Sequence, residues 1–262
     1  MTEEKLASEL YSRYGTVTRA RECFLYTKKG ERLTDLYQQN GRAILGWGGK
    51  EAFTQLKNTL NRGITGAFIT EDKSRLDKAV SALLNSPRKT YIFQSQKAAE
   101  AFASKASKTI KCWMPWSPEQ IKWEEEKCVV IAPPLPWTEN FYLAALLTQN
   151  SAEVKEEPLE DGQIKLAEPL VVAITRNLYD MIAALQVREE KNWFLYDKVL
   201  TKYFTRKGPY LYSKLPENKY DDFVLHCLDC GIIINPDFAK PSIVPFGADK
   251  GVFSKLKKAE FL

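Results

Sequence analysis

One histidine, His226, is the whole imidazole complement of this 262-residue chain. Nucleophile–histidine catalysis therefore has a single possible base, and that base follows Val224 and Leu225 in a helical stretch, where it reads as a packed boundary side chain. There is no P-loop and no GxGxxG, which removes the common phosphate and dinucleotide cradles. No uninterrupted apolar run is long enough to cross a bilayer. The N-terminus, MTEEKLASEL, is acidic and mixed, unlike a signal peptide. These absences argue against a membrane protein and place the chain in the cytoplasm.

Cysteine is sparse and odd in number: Cys23, Cys112, Cys128, Cys227 and Cys230, irregularly spaced. That pattern reads as reduced thiols rather than a disulfide framework. Cys227-Leu-Asp-Cys230 is formally a CxxC, but a zinc site takes about four ligands and no second cluster supplies the rest. The pair stands late in a helical stretch that Gly231 ends, so core packing is expected and no metal. The charge of +5 is spread among interspersed lysines and acids. Its nearest concentrations, Arg13–Arg21 and Lys255–Lys258, read as solvated faces. A basic nucleic-acid-binding protein is kept as an alternative.

What is present is core material, 44% hydrophobic and 12% aromatic, along the whole length. Residues 2 to 14 have helical spacing, and CFLYTKKGERLTDLY reads as two strands around Lys28-Lys29-Gly30. Phe53–Leu60 returns to helical spacing. Next come a strand at GAFIT, a helix over Ser74–Leu84, a β-rich KTYIFQ and the helix QKAAEAFASKA capped by Ser95. KTIKCWM and KCVVIAPP read as strands, WTENFYLAALLTQ as a helix, Asn150–Ala167 as an acidic surface loop and EPLVVAI as a buried strand. Asn177 is expected to open a helix, and others begin near Asn192 and cover Tyr220–Cys230. GIIINP and SIVPF read as strands before a last helix over Lys250–Glu260. Such alternation predicts a mostly parallel sheet covered by helices.

In order, four segments resemble the class III aminotransferases, a branch of the fold-type-I enzymes that use pyridoxal phosphate (PLP). They are GERLTDLYQQNGRAILGWG, with Gly30, Leu33, Asp35, Gly41 and Gly46 at matching spacings; LDKAVSALLNSPRKTYIFQSQKAAEAFA; EPLVVAITRNLYDMIAAL; and Phe223–Leu256. The resemblance implies a reduced fold-type-I α/β architecture: a parallel-rich large domain over about 64–175, and a smaller α/β domain from 176–262 with the N-terminal arm 1–63. It also implies a homodimer.

PLP chemistry, by the same resemblance, asks for a Schiff-base lysine, an acid at the ring nitrogen, a helix N-terminus for the phosphate and a cation for the substrate carboxylate. At the phosphate position Ser95 is kept, but Gln96 and Lys97 replace glycine and a small hydroxyl residue, although Lys97 can itself pair with a phosphate. The strand expected to end in an acid ends in Ala132-Pro133-Pro134. Lys165 alone lies near the lysine position, without the family's glycines and nearer to the following segment than the family spacing. Ser242 stands where the substrate-binding arginine is expected, with Arg176 as a conceivable substitute.

The residues that give shape match while those that give chemistry do not. The expectation is an aminotransferase-like pseudoenzyme, without PLP, that acts by binding a partner or small ligand. The alternative is a minimal PLP enzyme using Lys165, with Ser95 and Lys97 at the phosphate. The stretch holding Trp113, Trp116, Trp123 and Trp137 among prolines is a candidate ligand or partner surface, or else core.

Overall fold

A computed structural model describes residues 1–149 and 161–261. The chain forms two compact units, one from Met1–Gly48 with Arg188–Leu262, the other Gly49–Val187. Compared with the expected domain boundaries, residues 49–63 and 176–187 fall in the second unit.

In the first unit, helix α1 (Glu3–Tyr14) starts where the Thr2 hydroxyl accepts from Lys5 N (3.2 Å) and stops at Gly15. Strands β1 (Val17–Arg21), β2 (Phe24–Thr27) and β3 (Arg32–Asp35) form an antiparallel meander, with the expected turn joining β2 to β3. After β3 the chain makes a left-handed turn, with Gln38, Gln39 and Asn40 at φ of 46 to 55°. Each non-glycine residue held there costs about 1–2 kcal/mol, so other contacts must hold the turn. Asp35 supplies them: Oδ1 accepts from Tyr37 N and Gln38 N (both 2.9 Å), and Oδ2 accepts from Trp47 Nε1 (2.7 Å).

The second unit carries the sheet that positions the site. It comprises α2 (Lys50–Asn61), α3 (Asp72–Leu84), β4 (Arg88–Phe93), α4 (Gln96–Ala106), β5 (Lys111–Trp113), β6 (Cys128–Ile131), β7 (Tyr142–Leu147) and α5 (Glu168–Val187). The strand order is β4-β7-β6-β5; β5 and β6 are parallel, and β7 runs against both neighbours. Three of the four strands therefore share a direction. On one face Tyr91, Phe93, Val130, Ala144 and Leu146 pack against Ala99, Phe102 and Ala103 of α4. The alternate residues Val129, Ile131, Leu143 and Ala145 are equally buried.

Three expectations are corrected here. WTENFYLAALLTQ is not a helix: residues 142–147 form β7, with both edges paired and residues 143–146 fully buried. A strand buried on both faces loses polar alternation, and burial overrides the helix preference of Leu and Ala. EPLVVAI is not a strand but the start of α5, which absorbs Asn177 in its interior. Val171, Ile174, Leu178 and Met181 are buried at helical spacing. GAFIT forms no strand, and Phe68 and Ile69 are exposed. The acidic loop expected over Asn150–Ala167 lies outside the described residues as far as 160. By length and composition α5 could cross a membrane; in this unit it packs against α2 and α3.

The chain returns to the first unit through short 3-10 turns and α6 (Asp197–Leu200), reached near the helix expected from Asn192. The hairpin β8 (Phe204–Lys207) and β9 (Tyr210–Ser213) follows, unanticipated although Gly208-Pro209 marks its turn. Then come α7 (Glu217–Asp229), β10 (Ile232–Ile233), β11 (Ser242–Ile243) and α8 (Ser254–Lys258). β10 joins β3 in parallel and β11 joins β9, so the two short strands belong to different sheets. Cys227 is buried in α7, Cys230 is buried just past its end, and all five cysteines are free.

Burial pushes the Asp35 carboxyl up to about 6 from 3.8, against the three hydrogen bonds that favour its ionised form. Folding then takes up a proton, so this group's contribution is fully present below pH 4 and lost as pH rises through 6. Asp35→Asn removes that dependence and adds a pH-independent cost at Trp47. Urea unfolding of both proteins at pH 4.5 and 7.5 should show wild type losing on the order of 2 kcal/mol relative to the variant as pH rises. A constant difference would mean that Asp35 titrates normally.

Candidate functional site

β4 is paired along both edges. One edge carries β7 in unbroken register from Arg88↔Leu147 to Phe93↔Tyr142. The other is covered by side chains of α3 and then by a returning segment. Arg88 N donates to Ser81 Oγ (2.8 Å), Thr90 N donates to Asp77 Oδ1 (2.8 Å), and Lys73 Nζ donates to Thr90 O. Lys73, Asp77 and Ser81 recur every four residues, so they form one stripe of α3 lying along the strand. Beyond Thr90 the backbone takes over: Ile164 N donates to Ile92 O (2.9 Å) and Gln94 N to Gly162 O (3.0 Å).

Where stripe, returning segment and the start of α5 meet, a cavity of about 390 Å³ opens. Lys73, Lys89, Lys165, Gln163 and Glu168 bring polar groups to it. Ile92, Ile164, Leu166 and Val171 give it apolar wall, and Lys73 Nζ stands 5.7 Å from the Tyr91 ring centroid. Glu168 Oε2 is buried with no hydrogen-bond partner. Of the candidate residues, Lys165 lines this cavity; Ser95 and Lys97 are not among its lining residues. Sequence reasoning missed Lys73, Lys89 and Glu168. The four-residue stripe was the only available signal, and it looks the same as a solvated helix face.

Ser95 caps α4, its Oγ accepting from Ala98 N (3.2 Å). Gln96 Nε2 donates to Glu100 Oε1 (2.7 Å), and the Cys112 thiol donates to the same carboxylate (3.6 Å). Burial and Glu100 push that thiol up to about 11. A carboxylate therefore stands on the first turns of the helix expected to receive a phosphate. β6 leads into Ala132-Pro133-Pro134; both prolines are buried, and Asn177 Nδ2 donates to Pro134 O (2.8 Å). The strand end thus presents an amide bond to a carbonyl and no acid. Ser242 is buried and accepts from Asn235 N (2.9 Å), and Arg176 pairs with Asp180 one turn along α5 (2.8 Å). These residues do not fit PLP: the strand end expected to carry the acid for its ring nitrogen holds Ala132-Pro133-Pro134, and Ser95 and Lys97 are not among the described residues that line the cavity of Lys165.

The tryptophan-rich stretch is largely packed. Trp113 is buried, Trp116, Trp123 and Trp137 are half-buried, and Trp137 lies 6.5 Å from the Phe53 ring. Among the described residues, no group of three or more His, Cys, Asp or Glu could hold a metal.

No family model matches the chain. An uncharacterised protein of Treponema pallidum (strain Nichols) is 24% identical over 292 residues, covering 92% of each chain. One of Borreliella burgdorferi is 24% identical over 253 residues, covering 94% of this chain and 90% of its own. Among solved structures, ornithine aminotransferase from Plasmodium yoelii matches with a TM-score of 0.71 at 12% identity, over 98% of this chain and 97% of that one. Acetylornithine aminotransferase from Elizabethkingia anophelis matches with 0.64 at 12%, over 98% of both chains. An omega-transaminase from Sphaerobacter thermophilus matches with 0.65 at 10%, over 96% and 97%. The fold is aminotransferase-like.

Gly162 holds the returning segment against α4 at φ +74°, and a Cβ there would lie 2.6 Å from Ala98 Cβ. Gly162→Ala should lower stability by about 1–3 kcal/mol through strain and overpacking, read as a fall in urea midpoint at unchanged slope. A neutral result would mean the segment is not held by this contact.

Proposed function

We propose that this aminotransferase-like chain does not use PLP and acts by binding, with a small ligand as its target. The observation that carries this reading is the end of β6, where Ala132-Pro133-Pro134 and the Asn177–Pro134 bond occupy the place where the resemblance requires an acid. Without a carboxylate at the pyridine nitrogen the ring loses its protonation and its capacity as electron sink. The glutamate tied to Gln96 on α4 adds a repulsive charge to the phosphate position. The five free thiols agree with a cytoplasmic setting. A homodimer agrees with the family resemblance and with exposed Leu60, Phe68 and Ile69; a clean 30 kDa species by light scattering would count against it.

The decisive measurement is titration of the purified protein with PLP, followed in the visible range and by borohydride trapping with peptide mapping. Neither a shifted absorption band nor a stable adduct is expected. An adduct mapped to Lys165 would overturn this reading in favour of a minimal PLP enzyme.

A further inference from the structure

In the first unit, α6 and the last helical segment meet at a cavity of about 340 Å³. Three ammonium groups line it from separate turns: Lys198 on α6, Lys250 on the 3-10 turn before α8, and Lys257 on α8. No carboxylate stands among the lining residues. All three lysines are exposed, and among the described residues none of them has a carboxylate partner. Other lysines of this unit do: Lys191 pairs with Glu189, Lys202 with Glu260 and Lys240 with Asp237. The nearby acids are engaged elsewhere or lie outside the wall. Asp197 is bound to Arg206 (2.6 Å), Glu260 to Lys202, and the exposed Asp249 is not a lining residue. Phe261, the last described residue, packs on Phe223 and His226 of α7, which do not line the cavity either.

The rest of the wall is apolar or already satisfied. Val199 contributes aliphatic surface, and the buried rings of Tyr196 and Phe253 meet edge to face with centroids 5.4 Å apart. The Tyr196 hydroxyl donates to Ala248 O (2.6 Å) and the Ser254 hydroxyl to Gly251 O (2.6 Å). The ammonium groups are therefore the side-chain donors left to a ligand. Solvated lysines on an open helix face point apart, whereas these converge on one hollow. Charge of a single sign beside apolar wall concentrates the field on whatever enters.

We propose that this cavity binds a small phosphate monoester with an apolar body. The dianionic head lies among the three ammonium groups, which act on phosphate as point charges, and a lone carboxylate would compensate fewer of them. The body covers Val199 and Phe253. The volume lies at the small end of small-molecule sites, which run from about 300 to 1,000 Å³. A nucleic-acid strand asks instead for charges laid out along a face. The proposal rests on the binding reading above and adds a place and a ligand class to it.

Calorimetric titrations of the full chain test it with phenyl phosphate, inorganic phosphate and phenol, and with an oligothymidylate of about ten nucleotides. Phenyl phosphate should bind with one site per chain, at least about tenfold tighter than inorganic phosphate or phenol. Because the lysines are exposed, Lys198→Met and Lys257→Met should fold normally and each weaken phenyl phosphate about fivefold. Lys257→Arg should retain binding. Lys258→Met removes the same charge one residue outside the wall and should leave the affinity unchanged. Inorganic phosphate binding as tightly as the ester, or Lys257→Met behaving like wild type, would overturn the proposal. So would Lys258→Met weakening binding as much as Lys257→Met, which would mean a general charge effect. Tight binding of the oligonucleotide without the ester would overturn it in favour of a nucleic-acid surface, and no binding of the ester at about 10 mM would overturn it outright. A PLP adduct on Lys165 would overturn the preceding reading without altering this ranking, because Lys165 is not a lining residue of this cavity.

Discussion

The second unit is organised by a demand that β4 makes on its surroundings. A strand exposes hydrogen-bonding groups on both edges, and any that are buried must be paired. β7 answers one edge. On the other, the Ser81 hydroxyl and Asp77 carboxylate accept from alternate backbone amides, Lys73 donates to a carbonyl, and residues 162–164 finish the edge as a short bridge. The change of partner, from side chains to backbone, leaves a gap between them. The cavity lies in that gap: Lys73 comes from the helix that satisfies the strand, Lys165 follows the segment that completes its edge, and Lys89 belongs to the strand itself.

The first unit meets a comparable demand with one buried acid. Asp35 ends β3, accepts from two amides of the following turn and receives the Trp47 indole. Three residues in the left-handed region are tolerated because these bonds, and that from Gln38 Nε2 to Ile243 O (3.4 Å), hold the turn. A single carboxylate thus fixes the turn that follows β3. At the end of β6 a neutral group has the corresponding task, Asn177 donating to the Pro134 carbonyl.

Local chemistry made several elements readable. Thr2 and Ser95 mark helix starts because a short hydroxyl satisfies an early amide. Lys28-Lys29-Gly30 marks a hairpin because Gly30 takes φ 84°. FYLAALL and EPLVVAI were misread in opposite directions for one reason. Both are short apolar runs, and period cannot separate a strand buried on two faces from a buried helix. Only the company each keeps decides: β7 lies between two strands, whereas α5 lies against α2 and α3.

By itself the sequence determined the class of fold and the order of most elements, because capping, turn and composition signals are local. It also singled out Lys165, with no means of saying what it faces. That Lys165 shares a cavity with Lys73 and Lys89, that Ser95 is not part of it, and that Glu168 buries an unpaired oxygen were decided by tertiary structure. Lys73 and Lys165 stand 92 positions apart (165 − 73). What brings them together is the pairing of the outer edge of β4, a long-range requirement of backbone hydrogen bonding that leaves no mark in the neighbourhood of either residue.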